Sequence, residues 1–195
     1  MRAGFAIASS RTCGDRTVRG VERSRRTYGD RRYAGPMNDT PAIRAAAESG
    51  IDFEIVRTPR PNSVVESAAL QGIEVGELLR TIVVRRGADD YVFVLVPGGR
   101  QIDWPKLRAH LGVKRISLPG EAEAKEATGY ERGAITPFGS ITPWPVVADT
   151  SVSGLHRVAI GGGGRGVNLH MAARDLVAYL NADVADVTDP VQPPG

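Results

Sequence analysis

The chain has 195 residues, 25 Lys+Arg against 22 Asp+Glu, a net charge of +3 and one cysteine, the size of one ordinary domain with or without tails. The single Cys13 excludes a disulfide framework and any cysteine-based zinc site; no apolar run reaches the roughly 18 residues of a membrane span, and the N-terminal stretch lacks the apolar segment of a secretory signal. Charge is uneven: residues 1–36 hold nine arginines against three acids, a net +6, and the other 159 residues hold 16 basic and 19 acidic groups, a net −3, so the pI of 9.3 describes the first segment and not the body.

Residues 1–36 are poor in aliphatics and show no period of helix or strand, so they read as a disordered basic extension. Three accounts of it stay open. The functional domain starts at Met37 and the extension plays no part; or the extension is an arm for RNA phosphates; or it is an organelle transit peptide, against which its early glycine and weak amphipathicity argue. Thr40 with Pro41 caps a helix that Gly50 stops. Asp52 to Arg57 alternates as a strand. Ser63 to Glu66 is a capping box opening a helix that ends at Gly72. Leu78 to Arg85, a turn over Gly87 to Asp90 and Tyr91 to Val96 form the clearest hairpin of the sequence. Asp103 caps a short helix through Leu107 and Leu111, and Val113 to Leu118 reads as a strand. Glu121 to Thr128 is a helix with acids at its start, which suits the helix dipole.

An aperiodic stretch, Gly129 to Gly139, follows. Strands are expected at Val146 to Ala148, Arg157 to Ile160 and Val167 to Leu169, the last after the glycine run Gly161 to Gly166. A final helix spans Ala172 to Leu180, and residues 183–195 read as a flexible tail. This order predicts an α/β fold, one domain over residues 37–182 built on a mixed, largely antiparallel sheet with surrounding helices. With 42% hydrophobic residues, the body can bury a substantial core and is expected in the cytoplasm.

The sequence carries few signs of catalysis. It has no phosphate-binding P-loop, nucleophile elbow or HExxH zinc motif. His110, His156 and His170 lie far apart, so no metal site is expected. Ser151 or Ser153 with His156 and Asp149 sit too close in sequence for a relay triad, and such residues are ordinary in turns. Gly163, Gly164, Arg165 and Gly166 suit either an anion-binding nest of backbone amides or a plain hairpin loop. Arg80 and Thr81 open a strong strand, with Arg80 aimed either into a cleft or at solvent. Gly133, Ala134, Ile135, Thr136 and Pro137 form a stiff loop that can present amides to a carbonyl, since Pro137 biases Thr136 towards extended backbone.

Taken in order, Leu79 to Val84, Tyr91 to Gly98 with Asp103, Lys114-Arg115, the Gly-Tyr-Glu-Arg-Gly-Ala-Ile-Thr-Pro-Phe-Gly stretch at 129–139, Val146 to Asp149 and Gly163 to Gly166 resemble the YbaK/ProRS-associated editing-domain family. The likeness runs from about Thr40 to Leu180. It implies a trans-acting aminoacyl-tRNA deacylase that hydrolyses the ester of a mischarged tRNA, with tRNA(Pro) carrying Cys, Ala or a similar small residue as the expected substrate. It implies no cofactor, the tRNA aminoacyl end and prolyl-tRNA synthetase as partners, and no membrane or DNA.

In the family the loop corresponding to Gly133 to Pro137 embraces the aminoacyl end, and a hydroxyl or side chain of the substrate assists, so a missing nucleophile is expected. The implied catalytic set is Arg80, Gly133 and Ala134. The implied substrate contacts are Thr81, Ile135, Thr136, Pro137, Gly163, Gly164, Arg165 and Gly166. Two residues depart from the pattern. Arg80 stands where the family usually has Lys, which keeps charge but removes a general base, and Ala134 stands where a second glycine is common. The reading from another class is a catalytically silent module that binds tRNA or aminoacyl-adenosine. The residues Phe53, Leu79 and Ile135 are expected to set the pocket volume.

Overall fold

The computed structural model describes residues 20–26 and 39–192. In chain order the elements are β1 (Glu22–Arg26), α1 (Pro41–Glu48), β2 (Phe53–Arg57), α2 (Val64–Gln71), β3 (Leu79–Gly87), β4 (Asp90–Pro97), β5 (Arg100–Ile102), α3 (Trp104–Leu111), α4 (Glu121–Thr128), β6 (Val146–Asp149), β7 (Arg157–Gly161), β8 (Val167–Ala172), α5 (Ala173–Tyr179), β9 (Asp183–Ala185) and β10 (Thr188–Pro190). Local chemistry starts and stops the helices. Thr40, Ser63 and Asp103 accept from the backbone amides of Ile43, Glu66 and Lys106, and Gly72, Gly112 and Gly129 end α2, α3 and α4 in the left-handed conformation. At Ser63 the box is incomplete, because the Glu66 carboxylate accepts from the amides of Asn62 instead.

One four-stranded sheet runs β1-β2-β8-β7 and is antiparallel throughout; a second runs β3-β4-β6-β9, antiparallel at its first pair and parallel at the other two; β5 and β10 form a short ribbon. A parallel bridge between Leu78 and Ala159 links the two large sheets. This is the mixed, largely antiparallel α/β fold expected. The β3–β4 hairpin turns at Asp89, whose φ is 51°.

Alternation along β3 and β4 divides the core. Leu79, Val83, Tyr91, Phe93 and Leu95 join Phe53, Leu169 and Phe138 in the larger cluster. Val84, Val92, Val94 and Val96 face the other way, towards Ile102, Leu107 and Val187. Among the described residues no helix is long and apolar enough to cross a membrane.

Three expectations need correction. Within the stretch read as a disordered extension, Glu22–Arg26 pair antiparallel with β2, from Glu22 opposite Arg57 to Arg26 opposite Phe53. Arg23 donates to the Gln71 carbonyl and lies 3.6 Å from Glu54. An edge strand satisfies its backbone by pairing and needs no apolar alternation, which is why composition hid it; residues 1–19 and 27–38 lie outside the described residues. The segment from Asp183 is likewise not a loose tail over its first part. It supplies β9 and β10, and Val187 and Thr188 are fully buried. Val113 to Leu118 is not a strand: only Ser117 pairs, exchanging backbone hydrogen bonds with Arg85.

His170, on the central strand β8, is buried with Nε2 2.8 Å from Oε1 of Gln71. Burial, with a smaller contribution from Arg157 and Arg23, lowers its pKa to about 4, so the ring is neutral and donates to Gln71. The unfolded ring binds its proton at about 6.5. Stability is therefore full above about pH 6.5 and declines by roughly 1.4 kcal/mol per pH unit down to about pH 4. His170→Gln should abolish that decline when unfolding free energies are compared with wild type at pH 7 and pH 5.

Deleting the chain after Ala182 removes Val187 from the second cluster and strips the buried Asp149 carboxylate of the Val187 amide. Urea unfolding should show a loss of about 3 kcal/mol or more, the sum of a buried valine and a hydrogen bond lost by a buried carboxylate.

Candidate active site

The loop between α4 and β6 is fixed at both ends and along its length. Tyr130 is buried and its hydroxyl donates to the carbonyl of Phe138, 2.7 Å away. Burial raises the Tyr130 pKa to about 12, so the phenol keeps its proton and remains a donor. The Tyr130 amide donates to Oγ1 of Thr128, and the Trp144 indole N–H reaches the Ala127 carbonyl at 2.8 Å. Phe138 is fully buried and its ring stacks on Tyr179 with centroids 5.2 Å apart.

Two glycines admit these contacts. Gly139 has φ +61°, and a Cβ there would lie 2.5 Å from the Pro41 carbonyl oxygen. Gly163 has φ +75°, and a Cβ there would lie 2.7 Å from the Tyr130 ring and 3.0 Å from Ala42.

So held, the loop forms one wall of a cleft of about 300 Å³, lined on that side by Arg132, Gly133 and Ile135. Thr81, Ile82 and Val83 of β3 form the opposite wall. Leu118 and Pro119 with Glu121 and Ala124 of α4 complete it. Two features make this cleft chemically competent. The Thr81 hydroxyl is buried without a hydrogen-bond partner, a costly state in the absence of a ligand or water. Across from it, the amides of Gly133 and Ile135 donate to no group among the described residues, whereas the Ala134 amide is consumed by the Glu131 carbonyl at 2.9 Å. Gly133 has φ +89° and open space where a Cβ would stand. Backbone amides without a partner in residues lining a mostly apolar cleft are the kind of donor that can serve a carbonyl oxygen.

The structure therefore brings Thr81, Gly133 and Ile135 of the expected set together. Ala134 and Thr136 are buried behind the lining, and Pro137 closes the same loop. Arg80, expected to anchor the substrate, does not line the cleft. Its guanidinium donates to the carbonyl of Arg100, a residue that is also not among those lining the cleft, and burial lowers its pKa. Nor do Gly163, Gly164, Arg165 and Gly166 line it. A Cβ on Gly164 would crowd Thr40 and Val167, and one on Gly166 would lie 2.3 Å from the Thr58 carbonyl oxygen. These glycines allow close packing against Thr40, Ala42, Tyr130, Thr58 and Val167. Arg165 lies 3.6 Å from Glu131, and both side chains are more than half exposed, a pair that contributes little.

Phe53 and Leu79 are core residues, so of the three expected pocket formers only Ile135 lines the cleft. Leu118, Pro119, Glu121 and Ala124 were missed. The one available signal was the helix start at Glu121, which brings the residues before it back over β3.

The Ser/His/Asp grouping does not assemble. Asp149 is fully buried and works structurally. Burial alone would raise its pKa, but hydrogen bonds from the Ser151 hydroxyl and amide, Thr188 and the Val187 amide outweigh it and hold the group below its usual range. His156 is exposed.

A family model described as an aminoacyl-tRNA editing domain matches residues 58–179. Over 138 residues the chain is 30% identical to a proline–tRNA ligase of Thermosipho melanesiensis, a match covering 69% of this chain and 24% of the ligase. It is 26% identical over 126 residues to a candidate Cys-tRNA(Pro)/Cys-tRNA(Cys) deacylase, EbsC, of Enterococcus faecalis, covering 65% of this chain and 75% of EbsC. The chain thus spans about a quarter of the length of that ligase. The crystal structure of a candidate trans-editing enzyme for prolyl tRNA synthetase superposes with a TM-score of 0.70 at 25% identity, over 76% of this chain and 95% of the other.

Gly163→Ala drives a methyl into the Tyr130 ring at a positive φ. It should cost about 2 kcal/mol or more in urea unfolding. Arg165→Ala, next but one in the chain, should change stability by less than about 0.5 kcal/mol.

Proposed function

The chain belongs to the aminoacyl-tRNA editing domain family, and on that premise we propose that it is a trans-acting deacylase that hydrolyses the ester between a small amino acid and the 3′ end of a mischarged tRNA. The observation that carries this reading is a cleft of about 300 Å³ whose lining includes Thr81, with a hydroxyl that has no partner, and Gly133 and Ile135, whose amides donate to no group among the described residues. That volume is at the small end of ligand pockets. It favours Cys or Ala over a bulky side chain, with tRNA(Pro) as the carrier by analogy with EbsC, and the reaction belongs in the cytoplasm, where charged tRNA is used.

In this reading the amides of Gly133 and Ile135 donate to the ester carbonyl and stabilise the oxyanion that forms when water attacks. The carbon–oxygen bond to the ribose breaks, the free amino acid leaves, and the proton from water passes to the ribose oxygen. Thr81 donates to, or accepts from, the substrate's ribose or amino group and so fixes its orientation. Among the described residues, the titratable groups lining the cleft are Glu121 and Arg132, both exposed. The cleft's own contribution is therefore position and electrostatics, with a substrate hydroxyl or side chain assisting the proton transfer.

Thr81→Val is close to isosteric and removes the unpaired hydroxyl. It should leave the Tm unchanged or raised and lower kcat/KM for Cys-tRNA(Pro) or Ala-tRNA(Pro) by about tenfold, the worth of one hydrogen bond. Gly133→Ala forces a side chain into φ +89° and misplaces the amide, so it should lower kcat by roughly a hundredfold. Wild-type protein that binds these tRNAs and hydrolyses none of a mischarged panel would replace the deacylase with a silent binding module.

A further inference from the structure

The described surface holds a second concavity, of about 450 Å³, on the far side of Ser117 from the cleft. Five cations line it: Arg85 and Arg86 at the end of β3, Arg108 in the last turn of α3, and Lys114 and Arg115 just after it. Two are committed. Arg85 lies 3.0 Å from Glu123 and donates to Ser117, and Arg86 lies 2.6 Å from Asp90. Arg108, Lys114 and Arg115 make no ion pair among the described residues. Three uncompensated cations in one groove stand out on a body whose net charge is −3.

The groove and the cleft share no lining residue but adjoin along the chain, between Val83 and Arg85 on β3 and between Ser117 and Leu118. Thr81, Val83 and Arg85 occupy one face of β3, spaced by about 7 Å for each pair of residues. The backbone exchange between Arg85 and Ser117 ties segment 116–119 along that strand, with Ser117 in the groove and Leu118 and Pro119 in the cleft.

Resting on the deacylase reading of the cleft, we propose that this groove is the docking site for the phosphate backbone of the tRNA acceptor end, holding the RNA by Arg108, Lys114 and Arg115 while its terminal ester enters the cleft. A polyanion is the occupant that the charge demands, because a groove lined by guanidinium and ammonium groups neutralises phosphates and gains from counterion release. The position favours RNA, since the groove begins at Arg85 and Ser117, beside Val83 and Leu118 of the cleft in which the ester is placed. The arrangement also resolves a difficulty in the charge balance, because the contact face of the domain is basic although the body is acidic.

The test uses an unacylated RNA minihelix that reproduces an acceptor stem with its single-stranded 3′ end, titrated by fluorescence anisotropy from 50 to ~300 mM KCl. Wild-type log Kd should vary with log salt with a slope whose share from these three contacts is about 2 to 2.7. The triple variant Arg108→Ala/Lys114→Ala/Arg115→Ala should bind at least about tenfold more weakly and lose about 2 from that slope. Lys114→Glu/Arg115→Glu should weaken binding further, and Arg174→Ala, distant and exposed, should change neither quantity. The Tm of the triple variant and its hydrolysis of a short 3′-aminoacyl-adenosine, which lacks the stem, should match wild type.

Wild-type affinity and slope in the triple variant would overturn the groove, as would wild-type protein that does not bind the minihelix. Unchanged hydrolysis of full aminoacyl-tRNA by the triple variant would likewise overturn the groove and leave the deacylase standing. Groove-dependent binding with no hydrolysis of any ester would support the groove and overturn the deacylase.

Discussion

The hydrogen bond from the Tyr130 hydroxyl to the Phe138 carbonyl is the contact on which the rest of the site depends. It closes a loop that has no regular ladder of its own, and it does so from a ring that burial keeps protonated. A loop of this kind would otherwise leave its backbone groups to solvent and sample many shapes. Here its open end, Gly133 to Ile135, is presented to the cleft while its closed end is packed against α1 and α5. The amides that remain unused are unused because the loop is held, not because it is slack.

That hold requires bare backbone at several places, and it explains why the glycines of this chain do unequal work. Gly139 and Gly163 lie where a Cβ would strike the Pro41 carbonyl or the Tyr130 ring. Gly166 lies against Thr58 for the same reason. Gly133 has open space where a Cβ would stand. The glycine run after β7 thus supports the loop by close packing, and of the three glycines in the loop Gly133 is the one that lines the cleft. The charges divide in a similar way: Arg80 donates to the Arg100 carbonyl, and Arg108, Lys114 and Arg115, which make no ion pair among the described residues, lie together near the end of β3.

Much of this organisation is legible in the sequence where the determinants are local. Thr40-Pro41, Ser63 and Asp103 announce helix starts, and the β3–β4 hairpin follows from alternation and a turn. Non-local pairing is not legible. Glu22–Arg26 is a strand only because β2 offers an edge, and Thr188–Pro190 only because β5 does. The facing of Arg80 depends on which side of the sheet the loop comes to cover, which spacing along one strand does not reveal. The gathering of Leu118, Pro119 and Glu121 around Thr81 follows from the Arg85–Ser117 exchange, a contact spanning 32 residues.

The central claim is that the aminoacyl ester lies between Thr81 and the amides of Gly133 and Ile135. Its most direct test is an amide chemical-shift titration of the full chain with a non-hydrolysable 3′-aminoacylamido-adenosine carrying alanine. The account predicts saturable shifts at Thr81, Gly133 and Ile135, with Gly163, Gly164 and Gly166 and the Arg80 guanidinium unmoved. Saturable shifts confined to the glycine run or to Arg80, with Gly133 and Ile135 still, would contradict it.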